Sequence, residues 1–387
     1  MSNKNFINII DLGSSKIRLS VFDVNLKNNF SNSILLDYEK DNSNHFYELN
    51  EIVREAEKSI SNHIQDVVLM LDSSEIFIID ISLKKNLDKK NKINNIFETM
   101  IMEINQIINK YYLNYKILHI IVDQCIIDNK IYSELPKFLN NTDNLKIDFK
   151  LICFPKKLIN NFKIKFNNNN INILNIFSTS FIKSLNFMRK LNLKNISFLD
   201  IGLKRSTFIL FKNLIPKFIK NIPIGSFHIT NDISKIFKIS LDEAENIKKL
   251  FNKSETEFSY EYNSDININS IENILSKKIS IDLLKKVILY RVQEIVDLSF
   301  DKFTEVSKNL NLQNTDIFLI GSGSRLFNSN SFYLRDKFKF KSINFYEETD
   351  IEICKSALIY YLNNFEKSDI NSKKQGLFEK FFNFFSR

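Results

Sequence analysis

Hydrophobic and polar positions along the chain alternate between short blocks of period two and longer blocks of helical spacing, the pattern of an α/β protein. The first block, Asn8 to Phe22, reads as two strands joined by a polar turn. Ile7, Ile9 and Ile10 make the apolar end of the first strand, and Ile17, Leu19 and Val21 alternate with Lys16, Arg18 and Ser20 on the second, as in a half-buried hairpin. The turn is Asp11-Leu-Gly-Ser-Ser15, and the chain repeats it. Residues 200–211, DIGLKRSTFILF, align without a gap on residues 11–22, DLGSSKIRLSVF. Each copy is an apolar strand, Asp-x-Gly, polar residues and a second apolar strand ending in Phe, which predicts two duplicated lobes.

The remaining pattern fills in both lobes. Strands are predicted at Ser33–Leu36, Asp66–Leu71, Ser74–Leu83, Lys116–Asp123, Cys125–Ile127, Leu145–Cys153, Ile171–Ile176, Ile196–Leu199 and Thr315–Ile320. Helical spacing covers Leu49–Ile64, Lys92–Lys110, Pro155–Lys165, Thr179–Leu191, Leu241–Leu250, Ile281–Leu310 and Glu352–Phe365. A further helix follows Gly225, with the Thr230–Asp232 cluster as its start signal. Asn252–Asn269 and the segment around Pro136 read as polar loops. Residues 73–155 read as a small inserted α/β subdomain, because the strand-turn-helix pattern resumes only after them. The first lobe is then 1–72 with 156–195. The second is 196–232 with 312–365, and 233–311 form its outer subdomain. A polar linker (366–374) leads to a terminal segment (375–387).

Composition sharpens this picture at one point. The chain has 387 residues with 44% hydrophobic and 26% charged positions, ample for a folded core. It carries only 6 glycines, where an ordinary chain of this length would carry about 27. Those that remain therefore mark places where no side chain fits: Gly13, Gly202, Gly225, Gly321 and Gly323 follow or interrupt apolar strands, and Gly376 opens the last helix. The net charge of +9 comes from lysines spread among acids and predicts a solvated basic surface and no nucleic-acid partner. Cys125, Cys153 and Cys354 lack ligand-like spacing and read as buried thiols of a reducing compartment. The N-terminal residues lack a signal-peptide apolar segment, and no run is long enough to span a bilayer, so a cytoplasmic protein is expected.

The turns carry the candidate chemistry. A glycine after a buried strand lets backbone N–H groups approach a phosphate, Ser14, Ser15 and Lys16 add donors, and an aspartate at the strand end can hold Mg²⁺ through its waters. Asp11 and Asp200 are the candidates for that role and for a general base; His45, His63, His119 and His228 show no partner spacing. Two such turns in register can grip one nucleotide from either side. A third element, Ile317–Leu326 (IFLIGSGSRL), is a strand, a Gly-x-Gly turn and a helix start, suited to presenting N–H groups and a flat surface to a phosphate or an adenosine.

Together these elements resemble the actin-like ATPase superfamily, and within it the FtsA family of bacterial cell-division proteins. Asp11-Leu-Gly-Ser-Ser15 is similar to the first phosphate loop and Asp200-Ile-Gly202 to the second. Pro223-Ile-Gly225 with Thr230-Asn-Asp232 resembles the PvGG…TnDI stretch, Ala244-Glu-Asn-Ile-Lys248 the AExxK whose Glu and Lys contact adenosine, and Gly321-Ser-Gly-Ser-Arg-Leu326 the adenosine motif. Ile117-Leu-His119 and the strands after it are similar to the family's inserted subdomain. The resemblance implies an actin-like fold, two duplicated lobes around a nucleotide cleft, and bound ATP and Mg²⁺. Its adenosine contacts would come from Glu245, Lys248, Gly321, Ser322, Gly323 and Ser324, with Gly13 and Gly202 in the phosphate loops and Gly225 a further cofactor-binding residue. The chain departs from the family's DxGGGTT, because Leu203, Lys204 and Arg205 stand for two glycines and a threonine. Lys204 or Arg205 can offer a charge-assisted contact in their place. The helix Phe177–Leu185 also lacks the usual small residues. Nucleotide binding with at most slow hydrolysis is the expectation.

The terminal segment is the other informative block. At 100° per residue Leu377, Phe378, Phe381, Phe382, Phe384 and Phe385 fall on one arc, opposite Glu379, Lys380, Asn383 and Arg387. So dense a phenylalanine face is costly in water and suits an in-plane membrane anchor. It resembles the membrane-targeting helix of FtsA. That resemblance implies a filament-forming protein on the inner face of the cell membrane that holds the C-terminal tail of FtsZ and helps recruit later division proteins. Arg291 is the candidate tail contact, with Tyr290 standing where the family has proline. The alternatives are a PilM-like soluble scaffold of pilus assembly and a sugar-kinase-like enzyme of the same fold.

Overall fold

A computed structural model describes residues 6–23, 25–36, 45–86, 93–132, 144–258, 281–301, 305, 306, 308, 315–327, 337, 338 and 340–366. The chain divides into two compact units, residues 1–194, 212–217 and 349–387 in the first and 195–211 with 218–348 in the second.

In the first unit the opening stretch forms the predicted hairpin. β1 (Phe6–Leu12) runs antiparallel to β2 (Lys16–Asp23), with Leu12 opposite Ile17 and Asp11 opposite Arg18. β3 (Asn28–Leu35) extends the hairpin outward; α1 (His45–Ile60) follows. β4 (Asp66–Leu71) lies parallel to β1. Its run Val67–Leu71 is buried throughout, as a parallel strand covered on both faces requires.

The inserted segment builds its own layer. β5 (Phe77–Asn86), α2 (Ile93–Tyr111), β6 (Tyr115–Ile127), β7 (Lys130–Tyr132) and β8 (Asn144–Pro155) make an antiparallel sheet in the order β5-β8-β6-β7 beneath one helix. Phe97, Met100, Ile104 and Ile108 of α2 pack on Leu145, Ile147, Phe149 and Leu151 of β8. The two strands read at Lys116–Asp123 and Cys125–Ile127 are one strand, because the polar Asp123-Gln124 pair sits at a local irregularity and does not end the ladder. The loop around Pro136 lies outside the described residues. α3 (Lys156–Asn167), β9 (Asn172–Ser178) and α4 (Thr179–Lys190) complete the first sheet, ordered β3-β2-β1-β4-β9.

The second unit repeats that order strand for strand. β10 (Asn195–Ile201), β11 (Ser206–Lys212), β12 (Ile215–Ile222), β13 (Asp316–Ile320) and β14 (Ile343–Phe345) run β12-β11-β10-β13-β14. The duplication read from two twelve-residue stretches therefore extends to the topology of whole sheets. α5 (Ser226–Phe237), α6 (Leu241–Phe258) and α7 (Ile281–Ser299) cover it, burying Ile229, Ile233, Ala244, Ile247, Ile288 and Ile295 in one core. Three boundaries differ from the sequence reading. α5 begins at Ser226, not at Thr230–Asp232, because Thr230 turns inward to Glu245 and does not cap the helix. Residues 252–258, read as loop, continue α6, a stretch with no Gly or Pro to stop it. α7 stops at Ser299, short of Leu310, and Phe300 is buried in the core.

The chain re-enters the first unit as α8 (Asp350–Tyr361), opened by a capping box between Thr349 and Glu352. A single π turn, Leu362–Glu366, follows it. Among the described residues no helix is long and apolar enough to cross a membrane. The linker and the terminal phenylalanine segment lie outside the described residues.

One buried histidine ties these layers together. His119 of β6 is enclosed by Phe177, Phe181 and Tyr360. Its Nε2 accepts the Ser178 N–H at 3.0 Å, so its Nδ1–H donates to the Tyr360 hydroxyl at 3.1 Å. Burial pushes its pKa down to about 3. The unfolded chain therefore binds a proton that the folded one refuses. Stability conferred by this site is complete above about pH 6.5 and is lost as pH falls from there toward about 3, at about 1.4 kcal/mol per pH unit. Denaturant midpoints measured between pH 7 and pH 5 should fall for the native chain and fall less steeply for His119→Asn.

Candidate functional site

The two Asp-x-Gly turns close by the same hydrogen bond. In the first unit the Gly13 N–H donates to the Lys16 carbonyl at 3.1 Å, and in the second the Gly202 N–H donates to the Arg205 carbonyl at 2.9 Å. A Cβ on Gly13 would lie 2.8 Å from that Lys16 oxygen, so the turn admits no side chain there. Ser14, Ser15 and Lys16 are half-buried on the first turn, and Lys204 and Arg205 on the second.

The carboxylates are placed differently. Asp11, 1% exposed, has both oxygens engaged: Oδ2 accepts from Arg18 Nη1 at 2.7 Å and Oδ1 from Thr179 Oγ1 at 2.8 Å. Arg18 Nε reaches on to Asp350 Oδ1 at 2.6 Å, and Asp350 Oδ2 accepts from Ser33 Oγ at 2.8 Å and Lys16 Nζ at 3.0 Å. Two cations thus balance two carboxylates. Burial disfavours the Arg18 charge, but Asp11 and Asp350 outweigh it and raise its pKa. Burial likewise disfavours ionised Asp350, yet hydrogen bonds from Arg18, Ser33 and Lys16 hold its pKa below the usual value. The hairpin register predicts that positions 11 and 18 face each other, and sequence reasoning nonetheless left Arg18 as the solvent side of β2. Thr179 and Asp350 come from distant stretches and carried no local signal.

In the second unit the predicted residues gather into one cluster. Gly321 has a left-handed backbone (φ +83°), and a Cβ there would lie 2.5 Å from Asp200 Oδ1 and 2.6 Å from the Ile201 carbonyl. A Cβ on Gly323 would likewise lie 2.6 Å from the Ile201 side chain and 3.1 Å from Ser226. Ser322 and Ser324 sit on a short 3₁₀ turn, Ser322–Phe327, where a regular helix was expected, and Ser324 Oγ donates to the Gly321 carbonyl at 2.7 Å. Glu245 and Lys248 complete the group. Lys248 Nζ donates to Glu245 Oε2 at 2.6 Å, to Thr230 Oγ1 at 2.8 Å and to the Ser226 carbonyl at 3.2 Å. Burial lowers the Lys248 pKa and Glu245 partly restores it.

The second turn does not expose an open row of donors. Leu203, at the first replaced glycine, is buried. The first N–H groups of α5 are spent on the turn itself, Ser226 on the Gly202 carbonyl at 3.0 Å and Phe227 on the Leu203 carbonyl at 2.8 Å. Those are the orphan donors with which a helix start holds an anion. The Gly225 N–H donates to His228 Nδ1 at 3.1 Å. Arg291 on α7 grips both oxygens of Asp232 on α5, at 2.6 and 2.9 Å, and also pairs with Glu294; its neighbour Tyr290 is exposed.

Residues 197–352 match the family model described as Cell division protein FtsA. No curated protein matches the sequence. Among solved structures, the chain is similar to the PilM-PilN type IV pilus biogenesis complex, at 11% identity over 90% of this chain and 89% of that one, with a TM-score of 0.55. It is also similar to MreB5 of Spiroplasma citri bound to ADP, at 12% identity over 95% of this chain and 99% of that one, with a TM-score of 0.51. Residues 197–352 are thus similar to the FtsA family. Its fold is the actin-like one, with each lobe's sheet built on an Asp-x-Gly hairpin.

The FtsA-like resemblance implies Mg²⁺, and the residues present do not fit it at Asp11. Both carboxylate oxygens already have partners. A divalent cation about 4 Å from Arg18 would meet a repulsion of about 8 kcal/mol at an effective dielectric near 20, twice that of two unit charges. Among the described residues no three His, Cys, Asp or Glu groups come together as a metal cage.

The glycine contacts give a direct test of the cluster. A methyl at Gly225 would sit 2.5 to 2.7 Å from the Gly202 and Leu203 carbonyls and the Arg205 nitrogen, all backbone. Gly225→Ala should lower stability by about 1–3 kcal/mol in urea unfolding, and Gly321→Ala by a similar amount, since its φ is also left-handed.

Proposed function

We propose that this chain binds ATP, forms filaments, and anchors the C-terminal tail of FtsZ to the cytoplasmic face of the cell membrane, helping to recruit later division proteins. The observation that carries the reading is the match of residues 197–352 to the FtsA family. That span includes the second Asp-x-Gly turn, Glu245, Lys248, Arg291 and the Gly321-Ser-Gly-Ser324 turn. In the same region a Cβ on Gly225 would meet the Gly202 carbonyl and one on Gly321 the Asp200 carboxylate, and a Cβ on Gly323 and the Lys248 ammonium both meet Ser226. Nucleotide binding is further supported by MreB5, whose solved forms carry ADP and AMPPNP at 12% identity. Within the second unit, adenosine would lie against Gly321 and Gly323, with Glu245 and Lys248 beside it and the phosphates toward the Gly202 turn; in the first unit the Gly13 turn is the candidate phosphate loop. Arg291 would meet the tail of FtsZ by exchanging Asp232 for a carboxylate of the partner. Hydrolysis is slow in this reading, since Asp11 is already paired and cannot serve as a base without losing Arg18.

Membrane attachment rests on Leu377, Phe378, Phe381, Phe382, Phe384 and Phe385. One such helix binds weakly, so filament formation would supply the avidity. A second reading is favoured by a specific observation, the TM-score of 0.55 to the PilM-PilN complex. It makes the chain a soluble scaffold that holds an assembly protein.

Flotation with anionic liposomes separates the two. The full chain should float at assembling concentrations, and a form ending at Asp369 should remain in the soluble fraction. If both stay soluble, the membrane anchor is lost and the PilM-like reading takes its place.

A further inference from the structure

The charge at Asp11 is already neutralised by the chain itself. Asp11 and Arg18 are directly cross-strand on β1 and β2, and the guanidinium bridges Asp11 to Asp350, which in turn holds Lys16. The Asp11 side chain is 2% exposed and Thr179 takes its other oxygen. A hydrated divalent cation keeps several of its waters and needs room beside a carboxylate with free lone pairs. At Asp11 each oxygen already has a partner, and the burial of the side chain leaves no room for those waters. The duplicated lobe shows that the fold does not force this arrangement: Thr207 aligns with Arg18, and its hydroxyl bonds to Asn221 at 2.6 Å. The cation is a property of position 18.

We infer that Arg18 takes the place of a divalent metal at the first Asp-x-Gly turn, so that this chain binds adenine nucleotide in its metal-free form as well as its magnesium complex. The inference rests on the nucleotide reading above. Arg18 is a fixed positive charge held by two carboxylates, so the electrostatic role that a metal would play beside Asp11 is filled before any ligand arrives. A nucleotide approaching the Gly13 to Lys16 turn then meets Lys16 and Arg18 in a charge-balanced setting whose field does not change when Mg²⁺ is withdrawn.

The test is calorimetric titration of ATP into the full chain, once with excess Mg²⁺ and once with EDTA. The two dissociation constants should agree within about threefold. Affinity weaker by about tenfold or more in EDTA overturns the inference while leaving the nucleotide reading intact. No binding in either condition overturns both. The double variant Arg18→Gln with Asp350→Asn removes one cation and one carboxylate together, leaving Asp11 beside one neutral amide and the Thr179 hydroxyl. It should become dependent on Mg²⁺ by about tenfold. A double variant that binds equally well in EDTA, with its native circular dichroism retained, shows that Arg18 is not the reason and overturns the assignment.

Discussion

The first lobe is organised around a buried charge that cannot be left alone. Asp11 lies near the end of a largely apolar strand and is itself buried, where an unpaired carboxylate would cost several kcal/mol. Its two partners come from β2 and the first turn of α4, and Arg18 brings in Asp350 from the first turn of α8. One ion network thereby fixes the register of the opening hairpin, the approach of two helices and, through Ser33, the edge strand β3. Asp350 is also well placed for its own helix, since a carboxylate in the first turn faces the positive end of the dipole. The same side chain thus serves the network and the helix.

The second lobe answers the same topology with close backbone packing. Where the first lobe has Arg18, it has Thr207, and its Asp200 carboxylate lies against the backbone of Gly321. At the start of α5 (Gly225) and in the Gly-x-Gly after β13 (Gly321, Gly323) a Cβ would come within 2.5 to 2.6 Å of neighbouring atoms, and at Gly202 within 3.1 Å. This explains why these positions kept glycine in a chain so poor in it. One lobe is locked by electrostatics and the other by sterics, although both descend from the same strand order.

Much of this was legible from residue pattern. Hairpins, strand runs and the helix α2 follow from period and spacing, and the glycines pointed to the turns because scarcity made each informative. The misses have physical causes. Thr230 carries the composition of a helix cap but serves a buried hydrogen bond to Glu245, a choice made by tertiary contact. Residues 252–258 are polar enough for a loop but contain no breaker, and helix persistence won. The Asp11 network was invisible for a different reason. Thr179 and Asp350 lie far along the chain, and Arg18 on an alternating strand looks like any solvent-facing cation until its neighbours are in place.

The replaced glycines of the second turn show how a departure from a family's pattern can be absorbed without loss of fold. Leu203 is buried, so the first replacement adds to the core and leaves no gap. The turn's carbonyls then take the Ser226 and Phe227 N–H groups, which satisfies the helix start from within. The consequence is a trade. A turn closed on α5 is stable without ligand, but an anion can draw on those donors only by displacing carbonyls already bonded to them, each exchange being nearly neutral in free energy. Binding strength at this lobe therefore depends on what charge the anion gains, and Lys204 and Arg205 are the residues on the turn that can supply it.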